Sequence, residues 1–295
     1  MASLYTQQSR NVFRTWMLMT IFLVIVILIG LGASYYYNSS AILYVAIGFA
    51  VVMNLYAYWF SDSVAIRSAG AIPADPVQYI ELHRVVENLA ITAGLPKPRI
   101  YIINDPAPNA FSAGRDKEHA VVAVTTGCLQ MMDRNELEGV IAHELSHVGN
   151  RDILVMTVAV VLVGFISVLA NIALRVSFFG GGNDRDRNGN IFALVGFVVA
   201  IILAPIAAQL IELAISRRRE FLADASGALL TRYPEGLESA LQKIGQYNAP
   251  MQRASTTTAH LFISNPFGAH PKGQWIQNLF STHPPIQHAS RPWRD

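Results

Sequence analysis

Four long apolar runs constrain what this chain can fold into more than any other feature. Residues 16–37 and 41–60 contain no charged side chain, and only Asn38-Ser39-Ser40 separates them. Each is long enough to cross a hydrocarbon core about 30 Å thick, so the pair predicts a tight transmembrane hairpin. Residues 153–174 and 191–211 form a second uncharged pair, with Pro205 inside the latter and a polar stretch, residues 180–190, between them. Runs of this length also occur as buried core helices, but their freedom from charge favours spanning. The composition agrees: 14% of residues are charged and 52% hydrophobic, against about 25% charged in an ordinary soluble domain. A cleaved signal peptide is a poor account of the first run, because its apolar core is too long and a second span follows almost at once.

Arg10, Arg14, Arg67, Arg151 and Arg217 to Arg219 fall on one side of the four expected spans, whereas Arg175, Arg185 and Arg187 fall on the other. The bias of cations toward the cytoplasm therefore predicts a cell-membrane protein with both termini cytoplasmic. Arg217 to Arg219 are expected to anchor the fourth span to lipid headgroups, with attraction of substrate as a second role. The net charge of +2 offers no basic field for nucleic acid, and the single cysteine, Cys128, excludes an internal disulfide and is consistent with a reducing compartment.

Outside the spans lies His143-Glu144-Leu145-Ser146-His147. Two imidazoles four residues apart on a helix point the same way and can grip one divalent metal, with Glu144 placed to take a proton from metal-bound water. Asp133 and Glu136 make a capping pair that predicts a helix over about 134–149, through the motif. A catalytic site of this kind needs a third protein ligand. Glu220 is the best candidate, and Asp224, four residues on and on the same helix face, suits the role of orienting a ligating histidine.

These residues carry a resemblance. His143-Glu144-Leu145-Ser146-His147 followed by Arg151-Asp152, two apolar segments and Arg217-Arg218-Arg219-Glu220-Phe221-Leu222-Ala223-Asp224 is similar to the HtpX family of membrane-embedded zinc metalloproteases, relatives of the CAAX prenyl endopeptidases. Asn109-Ala110-Phe111-Ser112-Ala113-Gly114 and Ser281-Thr282-His283-Pro284-Pro285 resemble two further segments of that family, and the order and spacing agree over nearly the whole chain. The tail departs from the pattern, ending in residues 287–293 where a short terminal helix is expected, which bears on the positioning of His283. The resemblance implies one Zn2+ per chain, held by His143, His147 and Glu220, and a stress-response protease that acts on misfolded or damaged membrane proteins.

The expected architecture is a mostly α integral membrane protein, with four transmembrane helices and a cytoplasmic zincin-like α+β metalloprotease domain. Residues 1–60 make the first hairpin, 61–152 the first part of the protease domain with the metal helix, 153–211 the second hairpin, and 212–295 the second part of the domain with the third ligand. A helix is expected from Asp75-Pro76 to Gly94, with Val77 and Ile80 on its apolar face, followed by strands over 99–103 and 119–124. Asn109 to Gly114 lies between those strands as a loop or edge segment, and Asn109, Ala110 and Phe111 are candidates for binding a substrate backbone by β-addition. A plain turn with an anchoring Phe fits the same residues. For His283, a hydrogen bond to the tetrahedral oxyanion and an ordinary surface histidine before a rigid Pro-Pro turn fit equally. His119, His260, His270 and His288 have no partner at ligand spacing and read as ordinary surface or strand histidines, and His83, on the expected first soluble helix, is equally unremarkable.

Peptide hydrolysis with Glu144 as general base is thus the expected chemistry, the substrates being unfolded segments of membrane proteins at the bilayer's cytoplasmic face. Two alternatives stand beside it: a non-catalytic scaffold whose metal only staples helices, and, among enzymes, a protease of CAAX or signal-peptide type. Glu144 argues against the scaffold, since a structural site has no use for a carboxylate between its two histidines.

Overall fold

The computed structural model describes residues 4–179, 205, 208–211 and 216–268. The expected fourth span falls almost wholly outside the described residues, as do residues 180–190 and His270, His283 and His288. Within them, Gln8–Tyr36, Ser40–Ala69 and Asp152–Asn171 are long and apolar enough to cross a membrane.

Helices α1 (Leu4–Tyr36) and α2 (Ser40–Ala69) form the expected antiparallel hairpin, turning through Asn38 at a left-handed φ of 50°. Asparagine is one of the few residues that accept this conformation at small cost. The helices approach closely where small residues face each other: a Cβ on Gly30 would lie 2.3 Å from that of Ala46. Small residues at such crossings let backbones pack by van der Waals contact where lipid supplies no hydrophobic drive. Helix α6 (Asp152–Phe179) lies against both, and its Val158, Leu162 and Ile166 share one buried cluster with Leu18 and Phe22 of α1. It is the inner helix, since 67% of its apolar window is buried, against 28% and 17% for α1 and α2.

Helix α2 does not stop with its apolar run but continues to Ala69, so the junction expected at residue 60 falls inside one helix. Its last turns find a second apolar surface: Ala65, Ile66 and Ala69 pack on a sheet of order β1-β2-β4-β3. Strands β2 (Arg99–Ile103) and β4 (Val121–Thr125) are parallel, while β1 (Ile72–Pro73) and β3 (Ala110–Ala113) pair antiparallel at the two edges. Strand side chains alternate between faces. Phe111, Ala113, Val121 and Ala123 therefore meet α2 and α6, whereas Ala110, Val122 and Val124 meet α3 (Ile80–Ala93) and α5 (Arg134–Gly149).

Two further boundaries differ from expectation. The first soluble helix begins at Ile80, because the Asp75 carboxylate accepts the N–H groups of Val77 and Gln78 and closes a turn there; Val77 and Ile80 end up exposed. His119 lies outside β4, its N–H drawn to the carboxylate of Asp116. Helix α4 (Thr126–Met131) follows β4 directly, with the Thr125 side chain accepting from the N–H of Cys128. Beyond the few described residues at 205 and 208–211 come α7 (Arg217–Thr231) and α8 (Pro234–Gln246), then a 3-10 turn, Ala259–Leu261.

Candidate metal centre

Helix α5 starts as the sequence predicts. The Asp133 carboxylate accepts from the N–H of Glu136 at 2.9 Å and the Glu136 carboxylate from the N–H of Asp133 at 2.8 Å, a reciprocal capping box. Glu136 also binds Ser239 and Lys243 of α8, each at 2.6 Å. The helix is then buried for three turns, and His143, Glu144 and His147 are 1%, 2% and 3% exposed. Helix α7 crosses it at close range because Gly227 faces the backbone of His143, where an added Cβ would stand 3.1 Å from the His143 nitrogen. That approach sets Glu220 beside the histidines.

The Nε2 atoms of His143 and His147 are 3.1 Å apart, and Oε2 of Glu220 lies 3.7 Å from the first and 3.8 Å from the second. All three ligand atoms fall within 4.8 Å of one another in a buried site. The donor set suits zinc: two imidazole nitrogens on metal arms of about 2.0–2.1 Å, set at a tetrahedral angle, would stand about 3.3 Å apart. Both rings have their second nitrogen engaged. Nδ1 of His143 donates to Asp224 at 3.0 Å and Nδ1 of His147 donates to Asp152 at 3.0 Å. Those bonds place the ring protons on Nδ1 and leave each Nε2 lone pair facing the common point. Burial disfavours the imidazolium of His143, but the carboxylates of Asp224 and Glu220 outweigh it and hold its pKa well above the usual imidazole value.

Glu144 sits beside these ligands with Oε2 accepting a hydrogen bond from the Ser112 hydroxyl at 2.7 Å. Ser112 belongs to edge strand β3, so the segment expected near a substrate touches the carboxylate expected to move protons. Within that segment the roles divide. The Phe111 side chain is fully buried against Phe262, and Asn109 is a clamp whose amide exchanges hydrogen bonds with the backbone of Ser264. The carbonyl of Ala110 accepts from the N–H of Ile263, covering the start of the edge. What the segment can offer a substrate is its backbone farther along, at Ser112.

Sequence reasoning placed His143, Glu144, His147, Glu220 and Asp224 together, as the structure does, and left out Ser112 and Asp152. Asp152 had a signal: an aspartate opening an apolar run five residues after His147. Two readings need correction. Arg217 and Arg218 are exposed, but Arg219 is 3% exposed, its Nε 3.6 Å from Asp152. At 3.6 residues per turn three successive arginines cannot share a face. His260 is buried too, its Nε2 donating to the carbonyl of Met156 at 3.0 Å, and burial, the main cause, pushes its pKa down to about 4.

A family model for peptidase family M48 matches residues 76–289. The protease HtpX homologue of Caldanaerobacter subterraneus is 48% identical over 292 residues, 97% of this chain and 95% of that protein. The chain belongs to the HtpX family of M48 peptidases. The HtpX homologue of Pyrococcus furiosus is 49% identical over 88% of each chain, and that of Lactobacillus acidophilus 45% identical over 96% of this chain and 97% of its own. The crystal structure of S. mikatae Ste24p shares the fold, with a TM-score of 0.50 at 17% identity, covering 96% of this chain and 65% of Ste24p. As an HtpX relative with apolar helices of spanning length, the chain is a membrane metalloprotease, and the His143, His147 and Glu220 group could bind its metal.

Proposed function

We propose that this chain is a zinc-dependent endopeptidase that hydrolyses peptide bonds of misfolded or damaged membrane proteins at the cytoplasmic face of the cell membrane. The observation that carries the reading is the convergence of His143, His147 and Glu220 on one buried point with the Glu144 carboxylate alongside. In this reading His143, His147 and Glu220 hold the zinc, which when bound supplies a Lewis acid that polarises the scissile carbonyl and brings the pKa of water toward neutrality. Glu144 takes the proton of the attacking water and hands it to the departing nitrogen, so one carboxylate serves both transfers. Ser112 keeps that carboxylate from rotating, since one oxygen is occupied by its hydroxyl. The outer edge of β3 receives an extended substrate backbone, which only an unfolded segment can present. His283, in the same proposal, donates to the developing oxyanion. Four spans, with both termini and the site on the cytoplasmic side, complete the reading; the cation bias of the flanking segments supports it.

The test purifies the protein in detergent with chelator present, restores zinc, and follows cleavage of an unfolded membrane protein beside its folded form. Cleavage that requires zinc and spares the folded form is expected. Zinc retained at one per chain with no hydrolysis of any substrate would instead mark a scaffold.

A further inference from the structure

A polar side chain near the start of an apolar helix is costly unless it holds something, and Asn11 of α1 is 1% exposed. Both protons of its amide are used: Nδ2 donates to Oδ1 of Asp152 at 2.6 Å and to the carbonyl of Asn150 at 3.0 Å. Its own Oδ1 has no hydrogen-bond partner among the described residues. Turning the amide over would set that oxygen against a carboxylate and a carbonyl, so the orientation is fixed and the unsatisfied acceptor stays. An apolar residue of similar volume would avoid that cost but leave Asp152 short of a donor.

Asp152 is itself 1% exposed, and a buried carboxylate must be paired. Its partners come from three helices: Asn11 of α1 and the Arg219 guanidinium of α7, the latter at 3.6 Å, face Oδ1, while Nδ1 of His147 of α5 donates to Oδ2 at 3.0 Å. With Oδ1 occupied, the carboxylate cannot rotate without breaking the bond to Asn11. The plane of the carboxylate directs the ring of His147, and the ring brings Nε2 to its place opposite His143. The orienting group of His143, Asp224, instead shares helix α7 with Glu220.

We propose that Asn11, on the first membrane helix, is a positioning residue of the metal centre: it fixes Asp152, and through Asp152 it orients His147. The N-terminal helix is on this account a working part of the site, and the centre reaches its full affinity only once α1 has docked on the α5–α6 turn. The proposal rests on the reading of His143, His147 and Glu220 as metal ligands.

The test measures Zn2+ affinity by chelator competition, and the electronic spectrum of bound Co2+, for the whole protein in detergent. Asn11→Leu removes the donor while keeping an apolar helix, and Asn11→Asp keeps the shape but turns an oxygen toward Asp152. Both should bind zinc about 10- to 100-fold more weakly, as loss of a group that orients a ligand does, and both should shift the Co2+ spectrum. Gln8→Leu is the control: Gln8 lies one turn earlier and binds the carbonyl of Gly149 at 2.8 Å, fastening the same helix to the same turn without touching Asp152. Its thermal stability should fall while its zinc affinity and Co2+ spectrum stay as in the wild type. Wild-type affinity in Asn11→Asp, or equal losses in Asn11→Leu and Gln8→Leu, would overturn the proposal alone. A wild-type chain that binds no metal would overturn the metal-centre reading and the proposal with it.

Discussion

Glu144 has one carboxylate oxygen held by Ser112 and lies beside the ligands without being needed as one. Glu144→Gln should therefore keep its place and its zinc while losing the proton acceptor, and turnover should fall by up to about 10,000-fold, the upper end for general acid–base assistance. Zinc content measured beside hydrolysis rate decides it: a variant with one zinc per chain and the wild-type rate would remove Glu144 from the chemistry. The ligands and their holders should separate by degree. Glu220→Ala should abolish tight zinc binding, whereas Asp224→Asn and Asp152→Asn should each weaken it by about 10- to 100-fold. Equal effects at Glu220 and Asp224 in a chelator titration would count against the division of roles. Of these two aspartates sequence spacing exposed only Asp224, because it recurs at a helical interval from a candidate ligand; Asp152 reaches His147 across a turn, with Arg151 at a left-handed φ of 58°, a geometry that no periodicity announces.

The first half of helix α5 is positioned by α8 through two contacts, and each makes a separate expectation. Gly139 meets the backbone of α8, where an added Cβ would lie 2.6 Å from the nitrogen of Leu237 and 2.8 Å from its Cα. Backbone cannot swing aside, so Gly139→Ala should cost about 1–3 kcal/mol in thermal or denaturant unfolding. At the N-terminus burial works against the charged form of Glu136, yet the hydrogen bonds from Lys243 and Ser239 and the N–H of Asp133 outweigh it and hold its pKa below the usual glutamate value. A depressed carboxylate stabilises the fold above its unfolded pKa, near 4.5, and loses that contribution as pH falls through the folded value. Glu136→Gln should consequently lower stability by about 1–2 kcal/mol at neutral pH, and the gap from wild type should narrow in melts as pH falls below 4.5 and through the folded value. A gap unchanged with pH would show that shape, not charge, is what matters at this cap. The capping box was legible because it is local; the bonds from α8, more than a hundred residues on, were not.

At the scale of the molecule the open matter is orientation, and Cys128 makes it measurable. That thiol is buried and its pKa is pushed up to about 12, chiefly by desolvation, so it should stay silent to maleimides in the native protein. In intact cells a membrane-impermeant maleimide should miss a cysteine placed at Lys117 and modify one placed at Asp184; the reverse pattern would invert the proposed topology. Sequence alone determined that the three described helices are apolar enough to seek lipid, which helix presents two imidazoles on one face, and that Asp224 shares a face with Glu220, because these are matters of composition and of a 3.6-residue period. It also showed strand β2 at its observed bounds, since a short β-branched run needs no distant partner to be recognised. Only the tertiary structure decided that α2 extends past its apolar run onto the sheet, that Arg219 faces inward, that Phe111 is core while Ser112 meets Glu144, and that Asn11 meets Asp152 across 141 residues. Each of these depends on which surfaces meet when a membrane hairpin and a small sheet share one core, and that is set by the packing of the whole chain rather than by any window of it.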